Sequence, residues 1–212
     1  MLNFAKSKMG VQNILITERS KKQKTMENTI SKDKRWKVLK SEYISKRPWM
    51  TARKDSVELP DGRINPEYWV LEYPDWVNVI AITTDGKIIM ERQYRHGLGM
   101  TCYELPCGVV EAGEDPLGAA RRELIEETGY SGGKWEKLMT LSANASAMTN
   151  LSHTFLAVGV EKTGTQNLDA TEDLEVHIVS QSFVKQLLDN NQIMQSLMVG
   201  PLYKYFYEIK KS

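Results

Sequence analysis

Short runs rich in aromatic and β-branched residues begin near residue 36 and are typical of β-strands. Two such runs occupy residues 43–57 and 68–73, and a Pro-Asp-Gly turn signal lies between them at residues 60–62. Proline followed by glycine favours a reversal of chain direction over a continuous strand. The pattern therefore predicts a small antiparallel β unit over residues 36–74.

Apolar-rich runs continue through the next part of the chain and predict further strands. Residues 77–83 and 87–95 flank the pair Asp85-Gly86, which is a strong signal for a β-hairpin. Four more strands are predicted at residues 101–105, 136–141, 153–160 and 175–179. These runs provide enough strands for a sheet at the centre of the fold.

The clearest helix signal covers residues 117–128. Asp115 can cap its first turn, Pro116 suits the first helical positions, and Gly129 can end it. A hydrophobic stripe on this segment, which includes Leu124, can pack the helix against a sheet. We expect a single well-defined helix in the middle of the strand-rich region.

Two more helices are predicted near the C-terminal end, at residues 182–190 and 192–207, the second broken at Gly200-Pro201. Strands on both sides of one short helix, followed by terminal helices, predict a mixed α/β fold of the α+β kind, built as a sandwich.

Composition narrows the class of protein. The chain has 212 residues, of which 41% are apolar and 26% charged, so it can bury a sizeable core. Its net charge of +1 argues against a dedicated nucleic-acid-binding protein, and no apolar run is long enough to span a membrane. Two cysteines, Cys102 and Cys107, cannot build a disulfide framework, which favours a cytoplasmic location.

Positive charge is concentrated at the N-terminal end. The first 40 residues contain eleven Lys and Arg against three Asp and Glu. A basic segment of this kind can be a targeting or nucleic-acid-binding arm, or simply a solvated tail. Because residues 1–16 lack the features of a secretory signal, we expect residues 1–35 to be a flexible basic tail.

The central helix carries an unusual concentration of carboxylates. Glu126 and Glu127 lie three and four positions after Glu123, so both are neighbours of Glu123 on the helix surface. Their mutual repulsion costs roughly 0.2–0.5 kcal/mol per exposed pair. A hard divalent cation such as Mg²⁺ or Mn²⁺ would offset that cost. A solvated, highly charged helix face is the alternative, and the helix alone does not separate the two.

The preceding loop, residues 108–114, contains two glycines that permit tight turns and close approach to a ligand. Loop and helix together resemble the Nudix box, G-x5-E-x7-R-E-U-x-E-E-x-G-U, in which U is a bulky apolar residue. The matching positions, with no departure among them, are Gly108, Glu114, Arg122, Glu123, Leu124, Glu126, Glu127, Gly129 and Tyr130. The resemblance implies a Nudix hydrolase with a mixed-sheet α/β/α sandwich over residues 75–212.

That resemblance implies a metal-dependent attack of water on the pyrophosphate of a nucleoside diphosphate linked to another group. It implies that Glu123 and Glu127 are metal ligands, with Glu126 assisting and the Cys107 carbonyl as a further ligand. Mg²⁺ is the expected ion, with Mn²⁺ as a possible substitute. Metal ions of this type neutralise phosphate charge and lower the pKa of bound water.

The same resemblance implies that two residues of the box support the site and that the loop contacts the substrate. Arg122 and Glu114 would brace the loop against the helix. Gly108 and Glu114 would lie where the loop approaches the substrate, and we count Arg122 with the catalytic residues.

Three weaker motifs resemble the ADP-ribose pyrophosphatase branch of the family. Residues 92–95 (Arg-Gln-Tyr-Arg) and 103–106 (Tyr-Glu-Leu-Pro) imply that Arg95 holds substrate phosphate and that Glu104 lies near the substrate. Residues 171–176 imply that Glu172 is a metal ligand or a general base. In relatives, an N-terminal β unit like residues 43–73 exchanges between subunits, which implies a homodimer.

The chain departs from that branch at two places. Residues 142–150 contain neither proline nor an acidic residue, and Ala170 occupies a position that is acidic in relatives. A nucleotide sugar, with ADP-ribose first, is the expected substrate. A GDP-sugar or a dinucleotide stays open as the substrate, and a non-catalytic ligand sensor stays open as the function.

Overall fold

The computed structural model describes residues 34–209, so the predicted basic tail lies, up to residue 33, outside the described residues. The chain divides into two compact units. One contains the described residues up to 40 together with residues 55–68, and the other contains residues 41–54 and everything described from residue 69 onward.

A three-stranded sheet is formed by the strands β1 (Lys37–Arg47), β2 (Met50–Glu58) and β3 (Ile64–Glu72), in that order. Very short connections join the neighbouring strands, which makes the sheet antiparallel as predicted. The run at residues 43–57 is not one strand, because the chain reverses at Pro48-Trp49. Trp49 adopts a φ of 61°, a left-handed conformation that residues with a side chain seldom take.

The second sheet has seven strands and contains the other strands formed by residues 34–209. They are β4 (Trp76–Thr83), β5 (Ile88–Arg95), β6 (Met100–Glu104), β7 (Cys107–Val109), β8 (Tyr130–Ser142), β9 (Leu151–Lys162) and β10 (Leu174–Val179). The main path is β10-β5-β4-β9-β8, with β6 paired to β5 and β7 paired to β4. Because β4 and β9 are parallel and the other pairs antiparallel, the sheet is mixed.

Strand β4 shows why this sheet is covered on both faces. Its residues from Val77 to Thr83 are buried, and successive side chains alternate between two apolar cores. Val79 packs with Leu124 of the central helix, whereas Ile80 packs with Leu188 and Leu202 of the C-terminal helices. The predicted mixed α/β sandwich is thereby confirmed.

The central helix, α1, extends from Pro116 to Thr128 with the predicted ends. The Asp115 carboxylate accepts hydrogen bonds from the backbone N–H groups of Leu117 and Gly118. Gly129 has a φ of 72° and donates its N–H to the Ile125 carbonyl. An acidic N-cap and a left-handed glycine therefore fix both ends of α1.

The C-terminal helices are α2 (Gln181–Asp189) and α3 (Ser196–Lys204). The prediction of a break at Gly200-Pro201 is wrong, because α3 continues through both residues into a π-helical turn, Tyr205–Ile209. Proline removes only one backbone donor, and Pro201 is buried against the sheet together with Met198 and Leu202. Burial of that apolar face offsets the lost hydrogen bond.

None of the helices formed by residues 34–209 is long and apolar enough to cross a membrane.

Replacement of Asp115 by Ala removes the side chain that caps α1 and should lower the free energy of unfolding by about 1 kcal/mol. Asp115→Asn is the matched control, because asparagine keeps a side-chain oxygen that can accept both N–H groups. Urea denaturation of the two variants measures the difference. Equal stability of Asp115→Ala and the wild type would show that the cap contributes nothing.

Candidate active site

The Arg122 guanidinium joins the glycine-rich loop to helix α1. Its Nε and Nη2 donate to the two oxygens of Glu114 at 3.1 and 3.0 Å, and Nη2 also donates to the Val109 carbonyl at 2.9 Å. Its Nη1 donates to Glu123 at 2.8 Å and to Glu126 at 3.1 Å. Arg122 thus fixes the orientation of three carboxylates, and its hydrogen bonds to Glu114, helped by its charge, hold the pKa of Glu114 below the usual value.

Glu123 and Glu127 are buried and lie beneath the loop. The Glu127 carboxylate accepts the backbone N–H of Cys107 at 2.9 Å, and the Glu123 carboxylate accepts that of Val109 at 3.2 Å. Gly108 lies between these two donors, and a Cβ atom there would come within 2.0 Å of the Glu123 Cδ. Only glycine therefore lets strand β7 approach the acidic face of α1 this closely.

A second group of charged residues lies on strands β5 and β6. Glu91 and Glu104 are directly opposite one another in the antiparallel register, and both are 2% exposed. Arg95 donates from Nε to Glu104 at 2.9 Å and contacts the Cys107 Sγ at 3.7 Å. Glu104 therefore lies beneath Arg95 and orients its guanidinium. The Arg95 side chain is 39% exposed.

Glu91 is the residue that sequence reasoning missed. It lies in the run 87–95, for which the apolar pattern predicts a strand and no functional residue before Arg92. Its importance emerges only in the fold, because Glu91 shares its strand face with Ile89, and Ile89 packs against α1. A charged residue on a face that packs against a helix is unusual and points to a special role.

Glu172 belongs to the loop that precedes β10, and its carboxylate accepts the backbone N–H of Asp169 at 3.0 Å. Strand β10 pairs with β5, with Leu174 opposite Gln93. This pairing brings the loop next to the end of β5 at Gln93, and the Glu172 charge contributes to raising the pKa of Glu91.

Burial and like charge raise the pKa values of the acidic residues in this region. The pKa of Glu91 is raised to about 8, first by burial and then by the charge of Glu104, with Arg95 opposing the shift. Burial also raises the pKa of Glu127 well above its usual value, and the charges of Glu91 and Glu123 add to the effect. A divalent cation among these carboxylates would reduce their mutual repulsion and offset the energetic cost of burying their charge.

The Cys107 thiol is a poor candidate for chemistry of its own. Its pKa is raised well above the usual value, first by burial and then by the charge of Glu127. A neutral thiol is neither a strong nucleophile nor a metal ligand. The backbone groups of Cys107, rather than its sulfur, are therefore the part available to the site.

The donor set fits a hard divalent cation, because it consists of carboxylates and backbone carbonyls. Within residues 34–209, no three His, Cys, Asp or Glu side chains already stand together as a metal-binding group. Mg²⁺ is commonly held by one or two carboxylates together with water and substrate phosphate, and it does not require a preformed protein cage. Glu123 and Glu127 are the two buried carboxylates that α1 brings to this region.

This combination of a mixed sheet, a glycine-rich loop and an arginine-braced acidic helix defines the Nudix class of hydrolases. Residues 73–196 match the family model described as NUDIX domain, and residues 36–71 match that of the nucleoside diphosphate sugar hydrolase N-terminal domain. The chain belongs to the Nudix family.

Several characterised proteins are similar to this chain. A methanol dehydrogenase activator of Bacillus methanolicus is 33% identical over 164 residues, 77% of this chain and 88% of that protein. An ADP-ribose pyrophosphatase of Bacillus subtilis is 36% identical over 143 residues, 66% and 75% of the two chains. A mouse ADP-sugar pyrophosphatase is 32% identical over 127 residues, 51% and 54% of the two chains.

A solved structure has the same fold. The crystal structure of an ADP compounds hydrolase superposes with a TM-score of 0.73 and covers 85% of this chain and 98% of that one. The two sequences are 22% identical, so the likeness concerns the fold alone.

The raised pKa of Glu91 predicts how stability changes with pH when a chelator is present. An unfolded glutamate titrates near 4.5 and the folded one near 8, so between these values the folded state binds the extra proton. The free energy of unfolding should therefore decrease as pH rises through this window.

The Glu91→Gln variant, measured by urea denaturation at pH 5.5 and 8.5, should lose less stability over this range than the wild type. Glu136→Gln, at an exposed position on β8, is the control. An identical pH dependence in wild type and Glu91→Gln would contradict the pKa shift.

Proposed function

We propose that this chain catalyses the divalent-cation-dependent hydrolysis of the pyrophosphate bond of a nucleotide sugar, ADP-ribose first, giving AMP and a sugar phosphate. The observation that carries the proposal is the position of Glu123 and Glu127 beneath the loop at Gly108. The loop backbone meets two buried carboxylates there, beside two arginines that can compensate negative charge. This is the chemistry required to bind and cleave an anionic pyrophosphate.

In this proposal Glu123 and Glu127 hold Mg²⁺, or Mn²⁺ in its place, with Glu172 and the Cys107 carbonyl as further ligands. When bound, the ion neutralises phosphate charge and lowers the pKa of an attacking water. Arg122 keeps Glu123 and Glu126 in position through its two hydrogen bonds from Nη1.

Glu114 completes the support of the site from the loop side. Its two oxygens accept hydrogen bonds from Arg122 and one of them also accepts the Glu111 N–H at 3.2 Å. Gly108 lets the loop backbone approach both the metal site and the substrate. Glu126, whose side chain is 38% exposed, and Glu172 are the carboxylates from which a general base would come.

In this proposal Arg95 binds a substrate phosphate. Its guanidinium is half-buried and anchored on Glu104, so it presents a fixed positive charge with little loss of side-chain entropy. We propose that Glu104 acts through Arg95 as a positioning residue and does not touch the substrate itself.

Two relatives support the choice of an ADP-sugar, because they are named for ADP-ribose and ADP-sugar pyrophosphatase activity. The match at residues 36–71 to a domain of nucleoside diphosphate sugar hydrolases supports the same substrate class. GDP-sugars and dinucleotides are the competing substrates.

We further propose that residues 36–74 mediate a homodimer and that residues 75–212 form the hydrolytic domain. Strand β1 and its neighbours expose large apolar side chains, namely Trp36, Val38, Leu39, Tyr43, Ile44 and Trp49. Exposed apolar groups at this density favour association with another surface. A cytoplasmic location is proposed because Cys102 and Cys107 are both unpaired thiols.

Replacement of Glu127 by Gln keeps the size of the side chain and removes the charge that would bind metal. We expect hydrolysis of ADP-ribose to fall by about 100-fold or more, because charge stabilisation by a metal ion is worth several kcal/mol. The measurement is phosphatase-coupled release of phosphate from AMP, with Mg²⁺ and with chelator. The panel contains ADP-ribose, ADP-glucose, GDP-mannose, NADH and a dinucleoside polyphosphate.

Glu136→Gln again serves as the control and should retain wild-type activity. Preference for another member of the panel would keep the hydrolytic mechanism and reject ADP-ribose. Near wild-type activity of Glu127→Gln would reject the site. No hydrolysis of any panel member, with tight ligand binding, would favour a sensor.

A further inference from the structure

Glu91 lies on the face of the central sheet that α1 covers. In the register of β5 it is opposite Glu104 on β6 and opposite Val176 on β10. Ile89, two residues earlier on the same face, packs in the core that contains Leu124 of α1. Glu91 therefore lies on the sheet face that meets α1, on a strand other than β7, which carries Gly108.

The Glu91 side chain is almost completely buried, with 2% of its surface exposed. Its Oε1 atom has no hydrogen-bond partner among the described residues. A buried polar atom without a partner costs about 1–3 kcal/mol, and most buried polar atoms avoid that cost by pairing. An apolar residue would suit this position better if the only function of the position were to pack the core.

The charged groups around Glu91 are unevenly balanced. Glu104 lies directly opposite Glu91 on the neighbouring strand β6. Glu123 on α1 and Glu172 in the loop before β10 add further negative charge. Arg95 is the positive group that acts on Glu91, and the guanidinium of Arg95 is already bonded to Glu104. The charge of Glu91 also acts on Glu127 of α1, whose pKa it raises. Arg95 and Arg122 are each bonded to other carboxylates, and no ion pair within residues 34–209 is formed by Glu91.

We propose that Glu91 is a further carboxylate of the divalent-cation site, contributing its unpartnered oxygen from the sheet side while Glu123 and Glu127 contribute from the helix. The inference rests on the proposed function, because it takes the acidic face of α1 as the place where the cation binds. Metal binding would explain why Glu91 is buried in the sheet. Glu91 would then be a ligand outside the glycine-rich loop and helix α1.

The test measures Mn²⁺ binding to the full-length protein in the absence of substrate. Electron paramagnetic resonance of free Mn²⁺ gives the Kd directly. Glu91→Gln should bind Mn²⁺ about 10- to 100-fold more weakly than the wild type, the range found when carboxylates that support a metal site are removed. The matched control, Glu136→Gln, changes an exposed acid on β8 and should keep the wild-type Kd.

Thermal denaturation in chelator separates a binding defect from a folding defect. Glu91→Gln should melt at or above the wild-type temperature, because the substitution removes like-charge repulsion. If Glu91→Gln does not fold, Glu91→Met, which fills a similar volume with an apolar side chain, is measured with the same expectation for the Kd. A Kd of either folded variant within about twofold of the wild type would overturn the proposal.

Wild-type hydrolysis of the nucleotide panel, measured on the same preparation, distinguishes this inference from the proposed function. Active wild type with an unchanged Kd in Glu91→Gln rejects the part assigned to Glu91 and leaves the hydrolase intact. Wild type that binds Mn²⁺ but hydrolyses nothing rejects the proposed activity, and the comparison of Kd values still decides on Glu91. Wild type that binds no Mn²⁺ rejects both.

Discussion

The contacts of the Arg122 guanidinium join the two parts of the site, since one side chain binds the glycine-rich loop through Glu114 and Val109 and the acidic helix through Glu123 and Glu126. Arginine suits this position because its donors form a planar, rigid fork that can serve several acceptors at once. Lysine has a single ammonium group and could not maintain all four contacts. The relative position of loop and helix therefore depends on this residue.

Around Arg122 the fold buries several carboxylates close to one another. Helix α1 contributes Glu123 and Glu127, and the sheet contributes Glu91 and Glu104, whereas Arg95 compensates only part of the charge. Burial raises the pKa values of Glu91, Glu123 and Glu127, which shows the electrostatic cost of this arrangement. Proteins retain such costs mainly at functional sites, where a ligand relieves them. A divalent cation with a bound pyrophosphate fits that requirement.

Features set by neighbouring residues could be predicted from the sequence, whereas features set by distant contacts could not. The ends of α1 follow from Asp115 and Gly129, which act within one turn of the helix. The turn at Trp49 lacks the usual glycine or asparagine, and the continuation of α3 through Pro201 depends on burial against the sheet. Glu91 was missed because its importance depends on which face of β5 meets the helix.

We propose that loop and helix hold Glu123 and Glu127 where they bind a divalent cation. Crystals grown with Mn²⁺ and measured at the manganese absorption edge test it most directly, because the anomalous signal locates the ion without assumptions about activity. We expect an anomalous peak in contact with the carboxylates of Glu123 and Glu127. A peak elsewhere, with none at these two side chains, would contradict it.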